Sequence, residues 1–169
     1  MGDGRNPGSA AASGAQLIGQ SPLAAELTPA QQASLAALVR VRRIPAGAYL
    51  IEEGARDDSI HVVLKGAFEV MRNAGVGEPA SLGVLRPGEL AGEMSFIDGT
   101  EHQAGLRAIA DSEVLSLDRA DFEKLVPTDP ELVYRVMRSI MRAVHERMRR
   151  MNLQYIELSN YIFKQHGRY

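Results

Sequence analysis

At 169 residues, with 45% hydrophobic but only 5% aromatic side chains, the chain has room for one aliphatic-cored domain plus an extra element, not for two full domains. A formal charge of −2, from 19 basic and 21 acidic side chains, supplies no global field toward nucleic acid or an anionic membrane, so such a partner would need a local patch. The absence of cysteine excludes disulfides, thiolate metal sites, iron–sulfur clusters and thiol nucleophiles, and fits a cytoplasmic address.

Residues 1–20, "MGDGRNPGSAAASGAQLIGQ", are rich in glycine and lack the apolar core of a secretion signal. They are expected to form a flexible tail outside the fold. Thr28, Pro29 and Gln31 then give a helix start, and Leu35 and Leu38 lie one turn apart, which predicts a short helix over 29–39. From residue 40 to about 117 the texture changes. Short apolar runs ("YLI", "IHVVL", "AFEVM", "SLGVL", "EVLSL") alternate with Gly, Pro, Asn and Asp, the pattern of a compact β barrel or sandwich. No run reaches the roughly 20 apolar residues of a membrane span, and no membrane partner is expected.

Residues 118–125 read as a short helix stopped by Val126 and Pro127. A second helix starts with Thr128 or Asp129 as cap and Pro130 in the first turn, and nothing breaks it before Gly167. At ~1.5 Å per residue, such a helix of roughly 36 residues is about 54 Å long and outruns a barrel of this size. Tyr134, Met137, Met141, Val144, Met148, Met151, Tyr155, Leu158 and Ile162 follow 3, 4, 3, 4 spacing, a coiled-coil seam. A second stripe, Val133, Val136, Ile140 and Ala143, stops at Arg147 and Arg150. The second stripe is therefore expected to pack on the barrel and the seam to pair with a second copy, making a homodimer. The alternative is a kinked helix folding back through Leu153, Ile156 and Phe163. Arg135, Arg138, Arg142 and Arg149, with His145, form a basic band without interleaved aromatics and read as a solvated face.

The glycines Gly47, Gly54, Gly66 and Gly88, the stretch "GEMSFIDG" at 92–99, and "RAIADSEVLSLDRADFEKL" appear in an order that resembles the cyclic nucleotide-binding domains of the catabolite activator protein superfamily. The resemblance implies a mainly β fold with flanking helices: a β-roll of about eight strands (a double-stranded β-helix, jelly-roll-like), then a long C-terminal dimerisation helix. On that reading residues 1–20 are tail, 21–128 the roll with its short helices, and 129–166 the dimer helix. The superfamily's transcription factors carry a helix-turn-helix domain after this helix. Only "GRY" follows His166 here, so the resemblance is to the family without its DNA-binding domain, and direct DNA binding of that kind is not expected.

The resemblance also implies a phosphate-binding cassette with ligand positions at Gly92, Glu93, Met94, Ser95, His102, Gln103 and Ala104. Backbone N–H groups at a short helix meet the phosphate. Glu93 accepts the ribose 2′-hydroxyl, and the position of His102 belongs to an arginine that clamps the phosphate. The cassette is degenerate at that end, because a guanidinium offers permanent charge and paired donors that an imidazole lacks. Arg107 matches an arginine of the following strand, not the clamp. Taken singly, Glu93 equally suits an ion pair with a buried arginine, and His102 a surface loop.

The implied ligand is cyclic AMP or another cyclic nucleotide, with no other cofactor. No catalytic grouping appears, and four scattered histidines have no metal spacing, so neither an enzyme nor a metal site is expected. Two functions remain open: a stand-alone regulatory module whose ligand alters what a protein partner reads, and a ligand-independent dimerisation or adaptor scaffold with a closed pocket.

Overall fold

The computed structural model describes residues 16–73, 75 and 77–166. A 3-10 turn at Pro22–Ala24 and helix α1 (Pro29–Ala36) lead into eight strands: β1 (Val39–Ile44), β2 (Tyr49–Ile51), β3 (Ser59–Lys65), β4 (Phe68–Arg72), β5 (Ala80–Leu85), β6 (Leu90–Ala91), β7 (Gly105–Ala108) and β8 (Ser112–Asp118). Helix α2 (Glu93–Asp98) separates β6 from β7, and α3 (Arg119–Glu123) and α4 (Pro130–His166) follow β8. Thr28 and Gln31 cap α1 reciprocally through side chain and backbone. The strand begins at Val39, so α1 ends earlier than its leucine spacing suggested.

The strands form two four-stranded antiparallel sheets, ordered β1-β8-β3-β6 and β2-β7-β4-β5, as expected for a β-roll. Alternation along β3 and β8 feeds two cores. Val63 and Val114 point between the sheets, with Phe68, Leu85 and Leu106. Ile60, Val62, Leu115 and Leu117 point the other way, against the helices. The central strands β3 and β8 are thus buried on both faces, which is why they read as nearly continuous apolar runs.

Ile18 is fully buried in the second core and residues 16–19 are helical, so the end of the expected tail belongs to the fold. Residues 1–15 of that tail lie outside the described residues.

Asp129 caps α4 by accepting from the Leu132 amide at 2.9 Å. The stripe expected to meet the roll does so. Val136 and Ile140 are fully buried, as is Leu132 one turn before them, and Val133 and Ala143 pack at the margin. Each fully buried residue of this size contributes about 1.5–3 kcal/mol, enough to seat the first half of the helix. No fold-back occurs: Leu153, Ile156 and Phe163 are all more than half exposed.

Within the seam, Met137 and Val144 lean partly onto the core, while Tyr134, Met141, Met148, Met151, Tyr155 and Leu158 are more than half exposed and Ile162 nearly half. The basic band is not simply solvated. Arg135 donates to the Glu26 carbonyl (2.8 Å), Arg138 lies 3.5 Å from the Glu26 carboxylate, and Arg142 also pairs with that carboxylate. The amino-terminal segment is thereby bound to the first half of α4.

Candidate functional site

The cassette begins where β6 ends. Gly92 adopts φ 79°, a left-handed conformation that L side chains rarely take, and a Cβ there would sit 2.6 Å from the Ser59 carbonyl oxygen. Only glycine lets the chain leave β6 this tightly against β3. The Phe96 amide closes the first turn of α2 on the Gly92 carbonyl, and Phe96 buries its ring against Phe122 of α3, with centroids 5.5 Å apart. Helix α2 is thus fixed by one apolar anchor while its other side lines a cavity.

That cavity, of about 160 Å³, is bordered by Gly92, Glu93, Met94 and Ser95 from the start of the cassette and by His102, Gln103 and Ala104 from its end. Ile51, Val70, Leu85 and Leu106 form its apolar wall. Every residue that the sequence nominated for ligand contact borders this one space, which Thr100 and Glu101 also line.

The two ends of the cassette meet at Asp57. Its carbonyl accepts from the Ser95 hydroxyl at 3.0 Å and from His102 Nε2 at 3.1 Å. A carbonyl only accepts, so Nε2 carries the His102 proton. The His102 amide donates to Ala55 and its carbonyl accepts from Gly54, at 3.0 and 2.8 Å. His102 is therefore not a surface loop residue. It is 9% exposed, turned under the 54–57 loop, and its ring nitrogen already serves the fold. Gln103 remains exposed, with a long 3.4 Å contact to the Glu101 carbonyl, and does not plug the cavity.

Beneath the cassette, His61 is completely buried between Ser116 (Nδ1 to Oγ, 2.8 Å) and Asp57 (Nε2 to Oδ2, 3.6 Å). The second separation is long for a hydrogen bond, although the ring nitrogen faces the carboxylate. The His61 imidazole beside it, helped by bonds from Ser59, outweighs the opposing effect of burial and holds the Asp57 carboxyl well below its ordinary range. With its central His61 wholly buried, the row Ser116, His61 and Asp57 is a structural network.

The residue that sequence reasoning missed is Arg147. It reaches from α4 into the cavity, where Nη1 lies 2.5 Å from Glu93 Oε1 and Nη2 donates to the Leu90 carbonyl. The Glu93 carboxylate is only 10% exposed and Arg147 30%, so this is a largely desolvated pair. The one signal in the sequence was an arginine interrupting the barrel-facing stripe of α4. Arg147 is the sole arginine bordering the cavity among the described residues, and its partner there is Glu93. Arg107 pairs with Glu69 at 3.0 Å, as a strand residue outside the cassette.

Among the described residues, no group of His, Asp or Glu could hold a metal ion, and no helix is long and apolar enough to cross a membrane. The pattern of the cyclic nucleotide-binding domain matches residues 41–129. Over 117 residues the chain is 33% identical to a cyclic nucleotide-gated potassium channel of Mesorhizobium japonicum, covering 69% of this chain and 31% of the channel. Over 127 residues it is 32% identical to the cyclic AMP receptor protein of Thermus thermophilus, covering 75% of this chain and 58% of that protein. The chain therefore spans less than two thirds of either relative. A solved cyclic nucleotide-binding domain from Methylobacillus flagellatus superposes with a TM-score of 0.76 over 87% of this chain and 83% of its own, at 19% identity, which speaks for the fold. With a family match covering more than half its length and the roll and cassette in place, the chain belongs to the cyclic nucleotide-binding domain family.

Proposed function

We propose that this domain is a regulatory module that binds a small cyclic-nucleotide-like ligand in the cassette cavity and passes the occupied state to a protein partner through α4, as a homodimer. The observation that carries the reading is the convergence of Gly92, Glu93, Ser95, His102 and Gln103 on one cavity with an apolar wall and an acceptor carboxylate. Cyclic AMP is the first ligand to test. Position 102 supplies no guanidinium, and Glu101 adds an acid beside it, paired at 3.5 Å with Arg56. A charge-assisted phosphate contact contributes about 1.5–3 kcal/mol, so affinity is expected about ten- to a hundredfold below that of an arginine-bearing cassette. The homodimer draws on the exposed Met148, Met151, Tyr155 and Leu158 in the helix beyond the roll, which fit a self-complementary twofold seam.

Calorimetric titration of the full chain with cyclic AMP and cyclic GMP at up to millimolar concentration tests the ligand reading. Heat of binding that a Glu93→Ala variant abolishes is the expected result. No binding of either nucleotide at those concentrations rejects it in favour of a ligand-independent scaffold.

A further inference from the structure

A second cavity, of about 430 Å³, lies where the amino-terminal turn meets α4, and it shares no lining residue with the cassette cavity. Pro22 and Ala25 form one wall. Ser139, Arg142, Ala143 and Glu146, neighbours on one flank of the helix, form the other.

Two properties of this lining are left unbalanced by the fold itself. Ser139 is 5% exposed, yet among the described residues no hydrogen-bond partner reaches its hydroxyl. A helical serine can satisfy its hydroxyl on the carbonyl four residues back, as Ser34 does on Ala30 at 3.2 Å, but Ser139 makes no such bond. A buried hydroxyl left without a partner is unfavourable, and an alanine would fill this helical position without that cost. The other property is charge. Arg138 and Arg142 both draw on the single carboxylate of Glu26, and Glu146 lies 3.7 Å from Arg149. Three guanidinium groups thus face two carboxylates, and this corner keeps a positive excess.

An anion with a carboxylate head answers both. Ser139 and Arg142 stand three residues apart on α4, the separation at which helical side chains are neighbours. One carboxylate can therefore accept from the Ser139 hydroxyl and the Arg142 guanidinium together. The hydroxyl turns about a single bond, so it can meet such an oxygen without a change of backbone. Pro22, Ala25 and Ala143 leave apolar surface for the rest of the molecule.

We propose that this cavity is a second ligand site, which takes a small organic carboxylate with an apolar body, anchored by Ser139 and Arg142 and independent of the cassette. A neutral amide of the same shape lacks the charge that Arg142 reads. Inorganic phosphate lacks the body that Pro22 and Ala25 cover.

Benzoate, benzamide and inorganic phosphate, each titrated into the isotopically labelled full chain and followed through its amide resonances, test the site. Benzoate is expected to give saturable shifts at Ala25, Ser139 and Ala143, and the other two to bind about tenfold more weakly. Ser139→Ala and Arg142→Met are each expected to weaken benzoate about tenfold, whereas Glu93→Ala, in the cassette, leaves it unchanged. Without ligand, Ser139→Ala is expected to melt no lower than the native protein, because an unsatisfied group has been removed. A lower melting temperature shows the hydroxyl already bonded within the fold and overturns the site. So does benzoate that shifts none of these residues at tens of millimolar, that binds no better than benzamide, or that is indifferent to Ser139→Ala. Loss of benzoate binding in Glu93→Ala places it in the cassette and overturns the second site equally. None of these outcomes depends on a nucleotide binding in the cassette.

Discussion

Replacing His102 by arginine asks whether the cavity is a nucleotide site altered at one residue. The native imidazole is 9% exposed and donates to the Asp57 carbonyl at 3.1 Å, so His102→Arg both removes an internal bond and introduces a charge. The lost bond contributes a net of about 0.5–1.5 kcal/mol and is present with or without ligand, so its loss lowers stability more than affinity. The new guanidinium, directed at a phosphate in the cavity, contributes about 1.5–3 kcal/mol in the bound state only. Glu101, already shared with Arg56 at 3.5 Å, takes back part of that gain. The expected outcome is a melting temperature lowered by a few degrees and cyclic AMP binding tightened about tenfold. Calorimetry on the native protein, His102→Arg and His102→Ala separates the two effects. If folded His102→Arg binds no more tightly than His102→Ala, the phosphate of a ligand is not read at position 102 and the placement of the cassette's phosphate end is wrong.

Other perturbations have equally definite outcomes. Asp57, held below its ordinary pKa in the fold, contributes stability that is complete above the unfolded value of 3.8 and is lost as pH falls toward its folded value. The stability gap between the native protein and Asp57→Asn, from urea unfolding between pH 7 and 2.5, is therefore expected to be constant at the upper end and to shrink below about pH 4; a gap that stays constant to pH 2.5 contradicts the role given to His61. Gly92→Ala is expected to destabilise by more than about 1 kcal/mol, since it combines a left-handed backbone with a Cβ 2.6 Å from the Ser59 carbonyl oxygen. Gly88→Ala, at φ 88° with no atom within 4 Å of its Cβ, should cost less, and equal melting temperatures for the two variants would refute the close-approach argument. Paired Met151→Asp and Leu158→Asp substitutions in the exposed seam are expected to convert a dimer into a monomer by sedimentation equilibrium. An unchanged mass places the interface elsewhere.

Much of the architecture was legible because it follows from local periodicity. The β3 and β8 runs, the cap of α4 and its barrel-facing stripe all rest on side-chain spacing that survives folding unchanged. The two-residue β6 and the four-residue β7 carried too short a pattern to stand out. Ile18 was hidden by the glycine-rich stretch before it, although it lies in the helical core. Within the site, the cassette glycine and acid stood out as a contiguous motif, whereas the Glu93–Arg147 pair joins positions 54 residues apart and depends on how α4 crosses the roll. His102 looked exposed among Thr100, Glu101 and Gln103. Its burial follows from pairing with Gly54 and Ala55, a contact between two loops that neither stretch announces. The arginine band on α4 was visible as charge, but its counter-ion, Glu26, lies more than a hundred residues upstream.

The grip of Arg135, Arg138 and Arg142 on Glu26 divides α4 mechanically. Its first turns are fixed between the core and the amino-terminal strap, so any tilt must pivot near Val144 and Arg147. The arm beyond that pivot, residues 147–166, is about 30 Å long at ~1.5 Å per residue. A rotation of about 10° at the pivot sweeps its end through about 5 Å, comparable to a full helical turn. A displacement the size of one side chain at such a pivot is thus multiplied severalfold along the helix.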